Sequence, residues 1–170
     1  LSLVGSEMCI RDRIKNMDDF RKYRFRTPPG IPGQTYKDIG IASVSLSGGD
    51  ILPALEKGTI DAAEWCCPKP DSVFGFQKVL KNYYLQGLHQ NVVNGDIYIN
   101  GDVYNSLTDH QKYAMEVASE AMITRNITNR AVENGKALID LTQNHGVKLW
   151  DTPADYFTEY MNAAQATLKK

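Results

Sequence analysis

The chain has 170 residues, 42% of them apolar and 23% charged, a composition that supports one ordinary globular core. A net charge of −1 supplies no basic field for nucleic acid. No apolar run approaches the roughly 20 residues of a membrane-spanning helix, and the three cysteines, Cys9, Cys66 and Cys67, include no C-x-x-C spacing.

The chain opens on "LSLVGSEMCIRDR", too charged for a secretion signal. It resembles a peptide that recurs at the ends of metagenomic reading frames, where adapter sequence has been translated. Residues 1–13 are therefore set aside from the fold, the natural polypeptide being expected to start near Ile14. From there, Tyr23 to Thr27 reads as a strand stopped by Pro28 and Pro29, and Gln34 to Ile39 as a short helix. "IASVSL", Ile41 to Leu46, is β-branched and predicts a buried strand. Gly48 and Gly49 turn the chain, and Asp50 is placed to cap a helix carrying Ile51, Leu52 and Leu55 and ending at Gly58. "TIDAAEW" predicts a strand with Ile60, Ala62 and Glu64 on one face.

Asp71 is expected to cap a helix running through "SVFGFQKVLKNYY", with Phe74, Phe76, Tyr83 and Tyr84 as core. "DIYIN", Asp96 to Asn100, predicts a short strand. "LTDHQ" then gives a capping box, Thr108 with Gln111. The helix it starts has few breakers before Gly146, with Ala114, Val117, Ala118, Ala121, Val132, Leu138 and Leu141 at threes and fours. "VKLW" reads as a strand, and "TPAD" as the start of a last helix, with Thr152 as cap and Pro153 at its first position. Strands alternating with helices predict an α/β class with at least partly parallel strands.

No Gly-rich phosphate loop, G-x-S-x-G elbow or zinc spacing of His89, His110 and His145 is present. Acidic Asp61 and Glu64 invite an acid/base pair, but three steps along a regular strand put them on opposite faces, so Asp61 reads as structural. Adjacent Cys66 and Cys67 read as two small side chains in a loop.

"FRTPPG", "LSGGDILPALEKGTIDAAEW", then "GF", "YY" and "YIN" resemble, in that order over Tyr23 to Leu107, the solute-binding proteins of tripartite ATP-independent periplasmic (TRAP) transporters. "ALEKGTIDAAEW" is the most specific stretch, and its Glu-Trp ending resembles the branch that binds 2-oxo or 2-hydroxy carboxylates, often with a metal cation. The resemblance implies part of a two-lobe fold of the type II periplasmic-binding kind. Residues 14–107 would form the second-lobe α/β portion, 108–146 the long lobe-connecting helix, and 147–170 a strand with the start of the C-terminal helices. It implies a periplasmic protein whose signal peptide and first lobe lie upstream, a small organic acid as ligand, TRAP membrane permease subunits as partners, and a homodimer at full length.

By the same resemblance Arg26 holds the ligand carboxylate, for which a guanidinium offers a planar fork of donors. Glu64 through its carboxylate and Trp65 through its backbone carbonyl hold a hard cation, sodium or calcium, which prefers oxygen donors. Gln90, in "GLHQN", stands where that branch completes the metal shell with an acid or amide. As a neutral group it leaves the site one negative charge short of a glutamate. A further ligand of the branch falls upstream of Arg26, within the adapter-like stretch. Trp65 and Asn100 are placed near the organic acid, Asn100 reading equally well as a strand-end turn residue. The rival readings are a small hydrolase or lyase using Asp61 and Glu64, and an interaction module built on the long helix.

Overall fold

The computed structural model describes residues 8–89 and 96–169. Its centre is one six-stranded mixed sheet. In chain order the elements are β1 (Met8–Ile10), α1 (Met17–Phe20), β2 (Arg24–Thr27), α2 (Ile31–Asp38), β3 (Ala42–Ser45), α3 (Gly48–Glu56), β4 (Ala62–Ala63), α4 (Pro68–Phe74), β5 (Asn82–Tyr84), α5 (Gly101–Ser106), α6 (Asp109–Gln143), β6 (Lys148–Trp150) and α7 (Ala154–Thr167). The strand order is β3-β2-β4-β1-β5-β6. The pairs β2–β3, β2–β4 and β5–β6 are parallel, while β1 runs antiparallel to both β4 and β5. The α/β expectation therefore holds.

Alternation along the strands builds a core on each face. Phe25, Ala62, Tyr84 and Ile10 pack on one side with Phe20, Tyr36, Tyr156 and Tyr160. Ala63 and Tyr83 pack on the other with Ile51, Leu55, Phe76 and Leu141. The first core is held by edge-to-face rings, Phe20 on Phe25 at 5.0 Å and Phe25 on Tyr36 at 5.1 Å between centroids, each such pair adding about 0.5–1.5 kcal/mol beyond its buried area.

Several expectations are corrected. Residues 8–13, set aside from the sequence, belong to the sheet region: β1 bridges the two parallel halves, Ile10 is fully buried, and the Arg11 guanidinium donates to the Leu55 carbonyl at 3.1 Å. β3 is a strand but not a buried one, because it is the sheet edge and only one of its four residues is even half-buried. α3 starts at Gly48 after Ser47, whose hydroxyl engages the Asp50 carboxylate, so Asp50 is not the cap. The helix expected through Tyr84 stops at Phe74, where Gly75 adopts φ 83°, a left-handed cap that glycine tolerates best. One 3-10 turn follows, and Tyr83 and Tyr84 lie in β5, both buried. Asp71 sits inside α4, not before it.

Asp96 to Asn100 is not a strand: Ile97 and Tyr98 are exposed, and no neighbouring strand among the described residues pairs with the segment. Thr152 spends its backbone N–H and hydroxyl on Gln86, so α7 starts one residue later than expected, with Pro153 outside it. The capping box of α6 forms as expected, Gln111 N–H donating to Thr108 Oγ1 at 3.3 Å and Thr108 N–H to Gln111 Oε1 at 2.9 Å. Only Asn134, Ala137 and Leu141, near the end of this 35-residue helix, are buried. The stripe from Ala114 to Val132 is exposed.

Candidate functional site

Strands β2, β3 and β4 are parallel, so their carboxyl ends meet on one side of the sheet, the side where open α/β sheets place ligands. Arg26 lies near the end of β2, Leu46 just after β3, and Glu64 just after β4. Glu64 N–H extends the ladder by donating to the Arg26 carbonyl at 3.1 Å. The Arg26 side chain is 6% exposed and the Glu64 side chain 2%. Arg26 donates from Nε and Nη2 to the Leu46 carbonyl at 3.0 and 2.9 Å, and from Nη1 to the Glu64 carbonyl at 2.6 Å and Glu64 Oε2 at 3.2 Å. These four bonds leave one of the five guanidinium N–H groups for anything that enters. Burial presses the Arg26 guanidinium below its ordinary range, and the Glu64 charge pulls the other way.

Trp65 follows with its ring 5.1 Å from the Arg26 guanidinium, edge-on to Phe74, and pressed against Gly48 at the start of α3. A Cβ at Gly48 would stand 2.6 Å from the Trp65 ring, so the close approach requires glycine there. The Trp65 carbonyl oxygen accepts no backbone hydrogen bond among the described residues. With the Glu64 carboxylate it makes an all-oxygen donor set suited to a hard cation, though short of the 6–8 oxygens calcium takes. No group of three or more His, Cys, Asp or Glu suited to a metal occurs among the described residues.

His89 was not assigned a role from the sequence, yet it completes this cluster. Its buried Nε2 stands 3.4 Å from Glu64 Oε1 without the geometry of a hydrogen bond. Its Nδ1 is 3.2 Å from the Tyr36 hydroxyl, which is 2.9 Å from the Tyr156 hydroxyl, which accepts from Leu88 N–H at 3.3 Å. Each hydroxyl has one proton to give and two lone pairs, so either tyrosine can donate to the other, and the direction of the chain is set by which imidazole tautomer Tyr36 meets at Nδ1. Burial raises both tyrosines above their ordinary range. The signal lay in "GLHQN", beside Gln90, but the partners are 53 and 120 residues apart along the chain and no local pattern links them.

Of the remaining sequence-derived site residues, Gln90 lies outside the described residues. Asn100 is exposed and caps α5, accepting from Asp102 and Val103 N–H at 3.0 and 3.2 Å. Asp61 makes a two-pronged ion pair with Arg24, 2.8 Å at each prong, which holds its carboxyl below the usual range. Asp61 and Glu64 thus answer to different arginines and do not converge. Cys66 and Cys67 carry Sγ atoms 2.8 Å apart. The hydrogen bond from Cys67, with the charge of Arg130 on α6, draws Cys66 down to about 7 against the opposing effect of burial. No helix is long and apolar enough to cross a membrane among the described residues.

Known proteins resemble this chain in sequence and in fold. The family described as bacterial extracellular solute-binding protein, family 7 (DctP) matches residues 8–170. A monocarboxylate 2-oxoacid-binding periplasmic protein of Nostoc sp. is 33% identical over 167 residues, 95% of this chain and 43% of its own. A TRAP transporter solute-binding protein from Bordetella bronchiseptica, crystallised with copurified calcium and picolinate in its site, is 30% identical with a TM-score of 0.84, over 98% of this chain and 49% of its own. One from Colwellia psychrerythraea with bound calcium and pyruvate is 24% identical with a TM-score of 0.81, over 97% and 51%, a likeness of fold. The chain spans about half the length of these relatives. On the family match over nearly all its residues, the chain belongs to the DctP family, the family-7 extracellular solute-binding proteins of bacteria.

Proposed function

We propose that the whole protein is the periplasmic solute-binding subunit of a TRAP transporter, taking a small 2-oxo or 2-hydroxy carboxylate together with a metal cation. It would hand the acid to membrane permease subunits for uptake driven by an ion gradient. The observation that carries this reading is the buried Arg26 guanidinium, held at the carboxyl ends of the parallel strands against the Glu64 carboxylate and beneath Trp65. An incoming carboxylate competes with carbonyls for a fork already aligned and desolvated, and charge-assisted bonds of this kind contribute about 1.5–3 kcal/mol each. Glu64 and the Trp65 carbonyl would hold the cation, with Gln90 as a further oxygen donor. The cation offsets the repulsion between Glu64 and the acid, which is why the two should bind together. Binding is the whole role in this reading, with no catalysis: Asp61 is committed to Arg24, and the cluster presents no nucleophile beside a base.

The exposed length of α6 supports a lobe-bridging role, and a secretion signal upstream would accompany export to the periplasm. Dimerisation through C-terminal helices is proposed for the whole protein only, since the α7 aromatics Tyr156 and Tyr160 are buried in this chain's own core. Calorimetric titration of the whole protein with pyruvate, with and without calcium, tests the reading. Saturable pyruvate binding that strengthens with calcium is expected. Preference for a neutral sugar or an amine would overturn it.

A further inference from the structure

Acid binding leaves one chemically active feature without a role: the thiols of Cys66 and Cys67, between the Trp65 turn and α4. Successive side chains of an extended chain point to opposite sides, and Cys67 is extended at φ −171°, ψ 163°. Yet the two sulfurs converge to 2.8 Å. Cys66 is half-buried and Cys67 is 3% exposed. Against Cys67 a cleft of about 180 Å³ opens between α4 and α6, with Lys69, Arg130, Glu133 and Asn134 also in its lining. Lys69 and Arg130 outnumber Glu133 there, and the net positive wall suits a small anionic reagent.

We propose that Cys66 and Cys67 are a dithiol–disulfide couple, closed by exchange with a low-molecular-weight anionic disulfide, and that closure shifts Trp65 and so tunes the Arg26–Glu64 site. The second half rests on the acid-binding reading above. In the first step the more accessible Cys66 sulfur attacks one sulfur of the reagent. The reagent's S–S bond breaks, a mixed disulfide forms, and one reagent thiol leaves with the Cys66 proton. The Cys67 sulfur then attacks Cys66 Sγ and releases the second reagent thiol with its own proton. The protein loses a pair of hydrogens and the reagent is reduced to two thiols.

Adjacent Cα atoms stand about 3.8 Å apart across a trans peptide, closer than the roughly 4.4–6.8 Å of ordinary disulfides. The closed ring is therefore strained and easily reduced, as suits a reversible couple. The strain falls on the Cys66–Cys67 peptide, one residue beyond Trp65, whose ring is pinned between Gly48 and Phe74 and lies over Arg26. Closure also turns the backbone at Cys66, and the Trp65–Cys66 peptide joined to it carries the Trp65 carbonyl.

The test uses the protein in a Cys9→Ser background, equilibrated with mixtures of reduced and oxidised glutathione, quenched in acid, alkylated after unfolding and weighed by mass spectrometry. Both thiols should disappear together, giving a species lighter by two hydrogens, without a glutathione adduct, that reopens in excess reduced glutathione. Cys66→Ser and Cys67→Ser should each leave one thiol or one stable adduct, and Cys66→Ser suffices if the buried site rejects serine. A lasting single adduct on the unaltered pair, two thiols still alkylated in excess oxidised glutathione, or a disulfide-linked dimer would each overturn the couple. The closed form should bind pyruvate in calcium about fivefold more weakly than the open one. Closure with unchanged affinity overturns the tuning alone. Failure of both forms to bind pyruvate counts against the acid-binding reading and leaves the mass result standing.

Discussion

Removing Arg26 tests the site through stability as well as through binding. Glu64 has a side chain only 2% exposed, and its nearest opposite charge is Arg26 Nη1 at 3.2 Å. Arg26→Ala leaves that carboxylate buried with only His89 nearby, at 3.4 Å, and strands the Leu46 carbonyl that took two guanidinium bonds. Loss of one partner from a buried pair costs about 3–5 kcal/mol, so the urea midpoint should fall well before any ligand is added. Glu64→Gln in the same background removes the stranded charge, and the pair should show a coupling of about 2 kcal/mol in a double-mutant cycle. Arg26→Lys should fall between, because an ammonium cannot serve the Leu46 and Glu64 carbonyls in the same fork. In calorimetry, pyruvate binding to Arg26→Ala should weaken by about 2–5 kcal/mol. Additivity of the two substitutions within about 0.5 kcal/mol would refute the argument, since independent residues do not hold one another in a buried site.

Glu64→Gln alone should weaken calcium and, by reciprocal linkage of about 1–3 kcal/mol, pyruvate as well; Trp65→Phe, which keeps the backbone carbonyl, should leave calcium largely in place, and both are read by titration with and without chelator. Asp71, buried in α4 and accepting the Tyr83 hydroxyl at 2.8 Å, is pushed up to about 7, chiefly by burial. Its native form keeps a proton that the unfolded chain has lost above its ordinary value of 3.8, so stability should fall as pH rises from about 4 to about 7 and level off above. The fall is about 4 kcal/mol at 1.36 kcal/mol per unit. Denaturation across this range should show the slope in the unaltered protein and its loss in Asp71→Asn, which retains an acceptor for Tyr83; equal slopes would count against it. Gly48→Ala drives a Cβ into the Trp65 ring and should destabilise by about 1–3 kcal/mol, with a shift in Trp fluorescence. Light scattering on the whole protein should give a dimer at micromolar concentration, and a monomer with or without ligand would leave α6 its bridging role alone.

What the sequence made legible follows the range of the interactions. The α6 start could be read because Thr108 and Gln111 cap each other within three residues. β2 could be read because Pro28 and Pro29 forbid its continuation. Tyr83 and Tyr84 read correctly as core but as helix rather than strand, because a helical pattern runs through Gly75 and only its left-handed conformation ends the helix. β3 reads as buried because β-branched composition does not tell an edge from a centre. Arg26, Glu64 and Trp65 came from family resemblance, and the structure brings these three together. His89, Tyr36 and Tyr156 stayed invisible because their relay joins a loop, α2 and α7, and such contacts leave no periodic trace in a single sequence.

The uneven anchoring of α6 makes it a lever. Its fulcrum is the short stretch from Asn134 to Leu141, packed against this half of the molecule, where Asn134 also accepts Lys69 N–H from α4 at 3.0 Å. Ahead of Asn134 some 25 residues extend without a buried side chain, an arm of about 37 Å at 1.5 Å per residue. A tilt of about 5° at the fulcrum carries the far end roughly 3 Å, given that arm length. A rearrangement of α4, which begins just beyond Trp65 and the cysteine pair, would by this geometry be magnified at the far end of α6.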